Sequence, residues 1–140
     1  MNKIEHIGIA VKNLEQSCNL YEQLLGVPAY KLESVPSEAV NTAFFQTGEN
    51  KIELLAALTA DSTIASFIEK RGEGIHHVAF DVSNIRREMD RLRNQGFVLL
   101  SEEPKLGADN KLVCFIHPRG TGGVLIELCE DIKKDNDGRS

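Results

Sequence analysis

The chain has 140 residues, 41% hydrophobic and 26% charged, enough to bury a core in one globular domain and too apolar for an intrinsically disordered protein. A formal net charge of −5 without a Lys/Arg cluster excludes a general nucleic-acid binder, although a few local cations can still hold a small polyanion. The start, Met1-Asn2-Lys3-Ile4-Glu5-His6, lacks the features of a secretory signal, and no apolar run reaches membrane-spanning length. A soluble, cytoplasmic protein with no membrane partner is expected, with Cys18, Cys114 and Cys129 as reduced thiols.

In chain order, His6 to Asn13 reads HIGIAVKN, a strand that puts His6, Gly8 and Ala10 on one face and Ile7, Ile9 and Val11 on the other. Asn13, with Gln16 three residues on, suits a helix N-cap and predicts a helix over Leu14 to Leu25 that stops near Gly26. Strands are predicted at Ala29 to Glu33, at Val40 to Gln46 and through Ile52-Glu53-Leu54. A short helix near Ser62 to Lys70 ends at Arg71-Gly72-Glu73-Gly74.

The pattern then begins again. HVAFDVSN, from His77 to Asn84, matches HIGIAVKN at an offset of 71, and at that offset Leu14, Cys18 and Tyr21 fall on Ile85, Met89 and Leu92. The second helix, capped by Ser83 or Asn84, is predicted over Ile85 to Gln95 and stops near Gly96. Strands at Phe97 to Leu100 and Lys111 to Ile116 lead to Ile126-Glu127-Leu128, the counterpart of Ile52-Glu53-Leu54. The reading is α+β: a single domain over 1–140 made of one βαβββ module (about 1–58), a linker helix (about 59–73), a second βαβββ module (about 74–130) and a polar tail (131–140).

The duplicated positions carry chemistry. His6 and His77 each begin a strand face that continues with small residues, which leaves room beside the imidazole, as in a cavity wall. Glu53 and Glu127 each lie between apolar residues of the opposite face, and a buried carboxylate requires a cation or hydrogen-bond donors. A lone strand histidine is more often structural, and a mid-strand glutamate is more often on a wet face. Two of each at matched positions favour a site for a divalent cation instead, with ligands His6, Glu53, His77 and Glu127. Nitrogen and oxygen donors suit cobalt, nickel, manganese, iron or zinc. His76 alternates to the opposite face and reads as structural, and His117, in His117-Pro118-Arg119-Gly120, reads as solvent-facing.

HIGIAV at the start, KIELL at Lys51 to Leu55, GIHHVAFDV at Gly74 to Val82 and HPRGTGGVLIEL at His117 to Leu128 resemble the vicinal oxygen chelate superfamily and, within it, the methylmalonyl-CoA epimerases. The resemblance spans nearly the whole chain. It implies paired βαβββ modules whose curved mixed sheets wrap a metal cleft, and an acyl-CoA substrate whose (2R) and (2S) forms interconvert through an enolate. It assigns the proton transfers to Glu38 and Glu127, the latter also a metal ligand, and implies a homodimer. Ala39 departs from the family, which commonly carries glycine there.

Lys105, Lys111 and Arg119 are candidate contacts for the CoA phosphates; Gly120-Thr121-Gly122-Gly123 lacks the Lys-Ser/Thr of a phosphate loop, so no further cofactor site is read. The alternatives are a glyoxalase I-like lyase using a similar ligand set, and a metal-free binding protein of the bleomycin-resistance kind on the same scaffold. An extradiol dioxygenase needs only two histidines and one carboxylate, so a fourth ligand at Glu53 argues against it.

Overall fold

The structure, a computed structural model, describes residues 1–132. In chain order its elements are β1 (Lys3–Ala10), α1 (Leu14–Leu25), β2 (Lys31–Val35), β3 (Val40–Thr47), β4 (Asn50–Ala57), α2 (Thr63–Arg71), β5 (Gly74–Asp81), α3 (Ile85–Asn94), β6 (Lys105–Gly107), β7 (Lys111–Ile116) and β8 (Ile126–Asp131). This is the α+β composition expected. The elements fall into two compact units, one of Glu5–Val78, the other of Met1–Ile4 with the chain from Ala79 onward.

In the first unit the expected cap forms: Asn13 Oδ1 accepts the Gln16 N–H at 2.9 Å, and α1 closes at Gly26, whose left-handed backbone (φ 76) brings its N–H to the Glu22 carbonyl. The remaining strands form a mixed sheet, with β2, β3 and β4 antiparallel in succession, β1 parallel to β4, and β5 beyond β1. Val11, Ala43, Phe45, Leu54 and Ala56 are the buried core of this unit, with Ile9, Leu14, Cys18, Tyr21 and Leu25 packed on it. The branched face of β1 therefore meets α1, as alternation requires. The helix after β4 is capped by Ser62, whose hydroxyl accepts the Ala65 N–H at 3.0 Å.

β2 runs two residues later than the sequence predicts. Prolines at both flanks account for the shift: Pro28 offers no N–H to a ladder just before Ala29, so pairing starts at Lys31↔Phe44 and continues to Val35↔Val40 before Pro36 opens a 3₁₀ turn, Pro36–Glu38.

In the second unit, Asn84 rather than Ser83 caps α3, its Oδ1 accepting the Arg87 N–H at 3.1 Å. Ile85, Met89 and Leu92 bury one face of α3 against Val82, Cys114, Ile116 and Leu128, matching the apolar set predicted from the repeat. β6, β7 and β8 are antiparallel in succession. The strand predicted at Phe97 to Leu100 is not a strand; it is reduced to one bridge, Leu99↔Ile116, and the ladder on β7 resumes at Lys105–Gly107. Pro104, without an N–H and restricting Glu103 before it, interrupts the pairing. Asp131 still belongs to β8, where it pairs with Lys111; most of the expected polar tail, residues 133–140, lies outside the described residues. Among the described residues no helix is long and apolar enough to cross a membrane.

Candidate metal centre

Three of the predicted ligands come together inside the first unit. The parallel register of β1 on β4 sets His6 opposite Lys51 and Gly8 opposite Glu53, so the imidazole and the carboxylate emerge from neighbouring strands. His77 enters from β5, next to β1 in the same sheet. The His6 and His77 Nε2 atoms are 3.0 Å apart, and Glu53 Oε1 stands 3.3 Å from each. All three side chains are buried, at 6%, 3% and 5% exposure, so water does not offset their mutual repulsion or attraction.

The far nitrogens are also engaged. His6 Nδ1 lies 2.9 Å from Glu5 Oε1, and His77 Nδ1 lies 2.9 Å from His76 Nδ1. A neutral imidazole has one N–H and one lone pair. With the N–H of each ring directed to these outer partners, both Nε2 lone pairs and a carboxylate oxygen converge on one point. Such a cluster of acceptors attracts a positive charge to its centre, and its two nitrogens and one oxygen suit a borderline divalent cation. The group therefore fits a metal ion.

Burial alone would raise the Glu53 carboxyl, but when the Nε2 atoms of His6 and His77 carry protons their hydrogen bonds and charge outweigh it and hold the group below the ordinary carboxylate range, as an ion in the same place would. Glu53 is thus the ionised partner that the sequence required to be neutralised.

Gly8 makes this approach feasible. A Cβ built there would stand 2.1 Å from His77 Cε1, 2.5 Å from Nδ1 and 2.6 Å from Nε2. The sequence reading left open volume over the small residues of β1; in the structure the His77 ring occupies it. His76 is also corrected. It does not stand apart from His77, since its ring nitrogen meets that of His77 and its ring packs edge-on against Phe67 at 5.0 Å. Glu5, Lys51, Gly8 and His76 are the site residues that the sequence reading did not assign. The available signal was the repeat itself, which pairs Glu5 with His76 just as it pairs His6 with His77.

Glu38 ends the 3₁₀ turn before β3 and is exposed. The next residue, Ala39, has φ 54, a left-handed conformation that costs an L-residue about 1–2 kcal/mol and explains why glycine suits this position. The Ala39 N–H bonds to the Pro36 carbonyl at 3.0 Å, which closes the turn that carries Glu38.

In the second unit, Glu127 is buried on β8 between Ile126 and Leu128, the placement its repeat partner predicts. Lys111 opens β7, where it is buried and ion-paired with Asp131, so its ammonium is committed within the fold. Lys105 and Arg119 are exposed. His117 is half-buried rather than solvent-facing, and its Nδ1 accepts the Arg119 N–H at 3.0 Å, capping a 3₁₀ turn at Pro118–Thr121.

The profile of the Glyoxalase/Bleomycin resistance protein/Dioxygenase superfamily matches residues 5–115. The chain is 44% identical over 130 residues to the uncharacterized protein YqjC of Bacillus subtilis, covering 93% of both chains. It is 39% identical to the ethylmalonyl-CoA/methylmalonyl-CoA epimerase of Cereibacter sphaeroides, with 91% of this chain and 97% of that one aligned. The crystal structure of the methylmalonyl-CoA epimerase of Mycobacterium tuberculosis superposes with a TM-score of 0.90 at 36% identity, covering 94% of this chain and 89% of the other. The chain with this paired-histidine site therefore belongs to the methylmalonyl-CoA epimerase family of the glyoxalase and bleomycin-resistance superfamily.

Proposed function

We propose that this chain is a metal-dependent epimerase that interconverts (2R)- and (2S)-methylmalonyl-CoA in the cytoplasm. The observation that carries the proposal is the convergence of His6 Nε2, His77 Nε2 and Glu53 Oε1 within 3.3 Å of one another in a chain of the epimerase family. His6, Glu53 and His77, with Glu127 as the fourth ligand, would hold the ion, cobalt being the first candidate. When bound, the ion would supply Lewis-acid stabilisation of the negative charge that develops on the thioester oxygen.

The chain's own residues do the rest. Inversion at carbon requires a proton acceptor on one face of the substrate and a donor on the other. Glu38, exposed at its turn, serves one face as a carboxylate that substrate can reach. Glu127, buried on β8, serves the other. The two roles exchange when the reaction runs backwards. In this reading the CoA portion is held by exposed cations, with Lys105 and Arg119 as candidates and Lys111 removed by its pairing with Asp131.

The test sets two substrates side by side. Racemisation of methylmalonyl-CoA followed by circular dichroism should be rapid, whereas the methylglyoxal–glutathione adduct should not be isomerised. Preferential turnover of the adduct would make the chain a lyase of the glyoxalase I kind. Turnover of neither would favour a binding protein.

A further inference from the structure

Glu5 and His76 occupy the same place in the two copies, immediately before the histidines. Each brings a polar atom to the Nδ1 of the ring that follows, both at 2.9 Å. The chemistry differs. Glu5 is a carboxylate only 3% exposed, and its second oxygen is held by Lys51 Nζ at 2.9 Å. His76 is an imidazole whose ring is fixed against Phe67, itself covered by the Arg71 guanidinium at 5.8 Å.

We infer that Glu5, braced by Lys51, and His76 are positioning residues that lock the tautomers of His6 and His77 so that both Nε2 lone pairs face the ion. The inference rests on the epimerase reading only in taking that point as the ion's place. With Lys51 Nζ on one Glu5 oxygen, the other is placed to accept from the His6 ring at 2.9 Å, which draws the His6 proton onto Nδ1 and leaves Nε2 as the donor atom for a metal. His76 Nδ1 does the same for His77 when its own proton sits on Nε2. The carboxylate also makes the His6 ring more electron-donating than a neutral imidazole partner can make His77. The two copies are therefore unequal, and Glu5 carries the larger share.

The experiment uses metal-free protein labelled with ¹⁵N-histidine, in which long-range ¹H–¹⁵N correlations report each ring's tautomer, followed by Co²⁺ titration against a chelator. Wild type should show His6 and His77 as Nδ1–H tautomers. In Glu5→Ala the His6 signals should move to a mixed or Nε2–H pattern, with Co²⁺ affinity falling about 10- to 100-fold. Glu5→Gln keeps an accepting oxygen, so it should restore the tautomer yet bind Co²⁺ more weakly than wild type. His76→Phe preserves ring packing on Phe67 and should disturb His77 alone, with a smaller loss.

Unchanged tautomers and unchanged Co²⁺ affinity in Glu5→Ala would overturn the inference, even if the melting temperature fell. If that variant does not fold, wild-type Co²⁺ affinity in Glu5→Gln would overturn it. A wild type with the expected tautomers that fails to epimerise methylmalonyl-CoA would remove the functional reading and leave the positioning role standing.

Discussion

Glu38→Ala should retain its divalent ion and lose about 10²- to 10⁴-fold in turnover, the usual contribution of a positioned general base. His77→Ala should lose both ion and activity. The contrast follows from where the two side chains lie. His77 is buried with its Nε2 3.0 Å from that of His6 and 3.3 Å from Glu53, so its removal takes one of three converging donors and leaves Glu53 buried beside a single imidazole. Breaking a buried charge network in this way is also destabilising, by about 3–5 kcal/mol. Glu38 is exposed on its turn, and its truncation removes no packing from the core. Metal content by emission spectroscopy and solvent-deuterium exchange at the substrate α-carbon check the pair together. Normal turnover in Glu38→Ala would remove that residue from the mechanism.

Gly8→Ala should cost the ion site as much as loss of a ligand while leaving the fold in place. Gly8 is not among the residues with positive φ, so alanine fits its backbone and only the contact matters. The new Cβ would sit 2.1 Å from His77 Cε1, where ordinary contact begins at 3.4 Å, so the ring must retreat by about 1.3 Å. The ring has little freedom to do so, since His76 meets its Nδ1 and His6 and Glu53 face its Nε2. Metal sites tolerate only about 0.2 Å in ligand distance. Co²⁺ affinity should therefore fall by more than about a hundredfold, against a stability loss of about 1–3 kcal/mol from overpacking. Isothermal titration and chemical denaturation on the same preparation separate the two effects. Full affinity in Gly8→Ala would show that His77 is not confined as the structure has it.

These two predictions also mark what could be read from the chain and what could not. Local chemistry was sufficient where one residue determines the outcome: Asn13 caps the first helix, Gly26 closes it, and the apolar series Ile85, Met89, Leu92 buries the face its spacing specifies, whereas the choice of Asn84 over Ser83 as the second cap needed the structure. The repeat singled out His6, Glu53, His77 and Glu127 as candidates, and the structure brings the side chains of the first three together. Pairing across distance was less readable. The segment at Phe97 has strand composition, but its ladder is decided by Pro104 and by β7, so one bridge forms and the strand moves to Lys105. Gly8 looked like vacant space because the ring that fills it lies 69 residues away. Strict alternation also put His76 out of reach of His77, whereas side chains from consecutive residues meet there at their ring nitrogens. The same failure hid Glu5, and with it the Lys51 contact on its second oxygen.

In this enzyme the ion and the substrate α-proton are proposed to be linked through this cluster. Deuterium incorporation from D₂O into the α-carbon of methylmalonyl-CoA, followed by NMR before chelation, after chelation and after return of one equivalent of Co²⁺, tests that link directly. The account predicts exchange that stops on chelation and recovers with the single equivalent in wild type, with no recovery in His77→Ala. Exchange that continues undiminished in exhaustively chelated protein would contradict it.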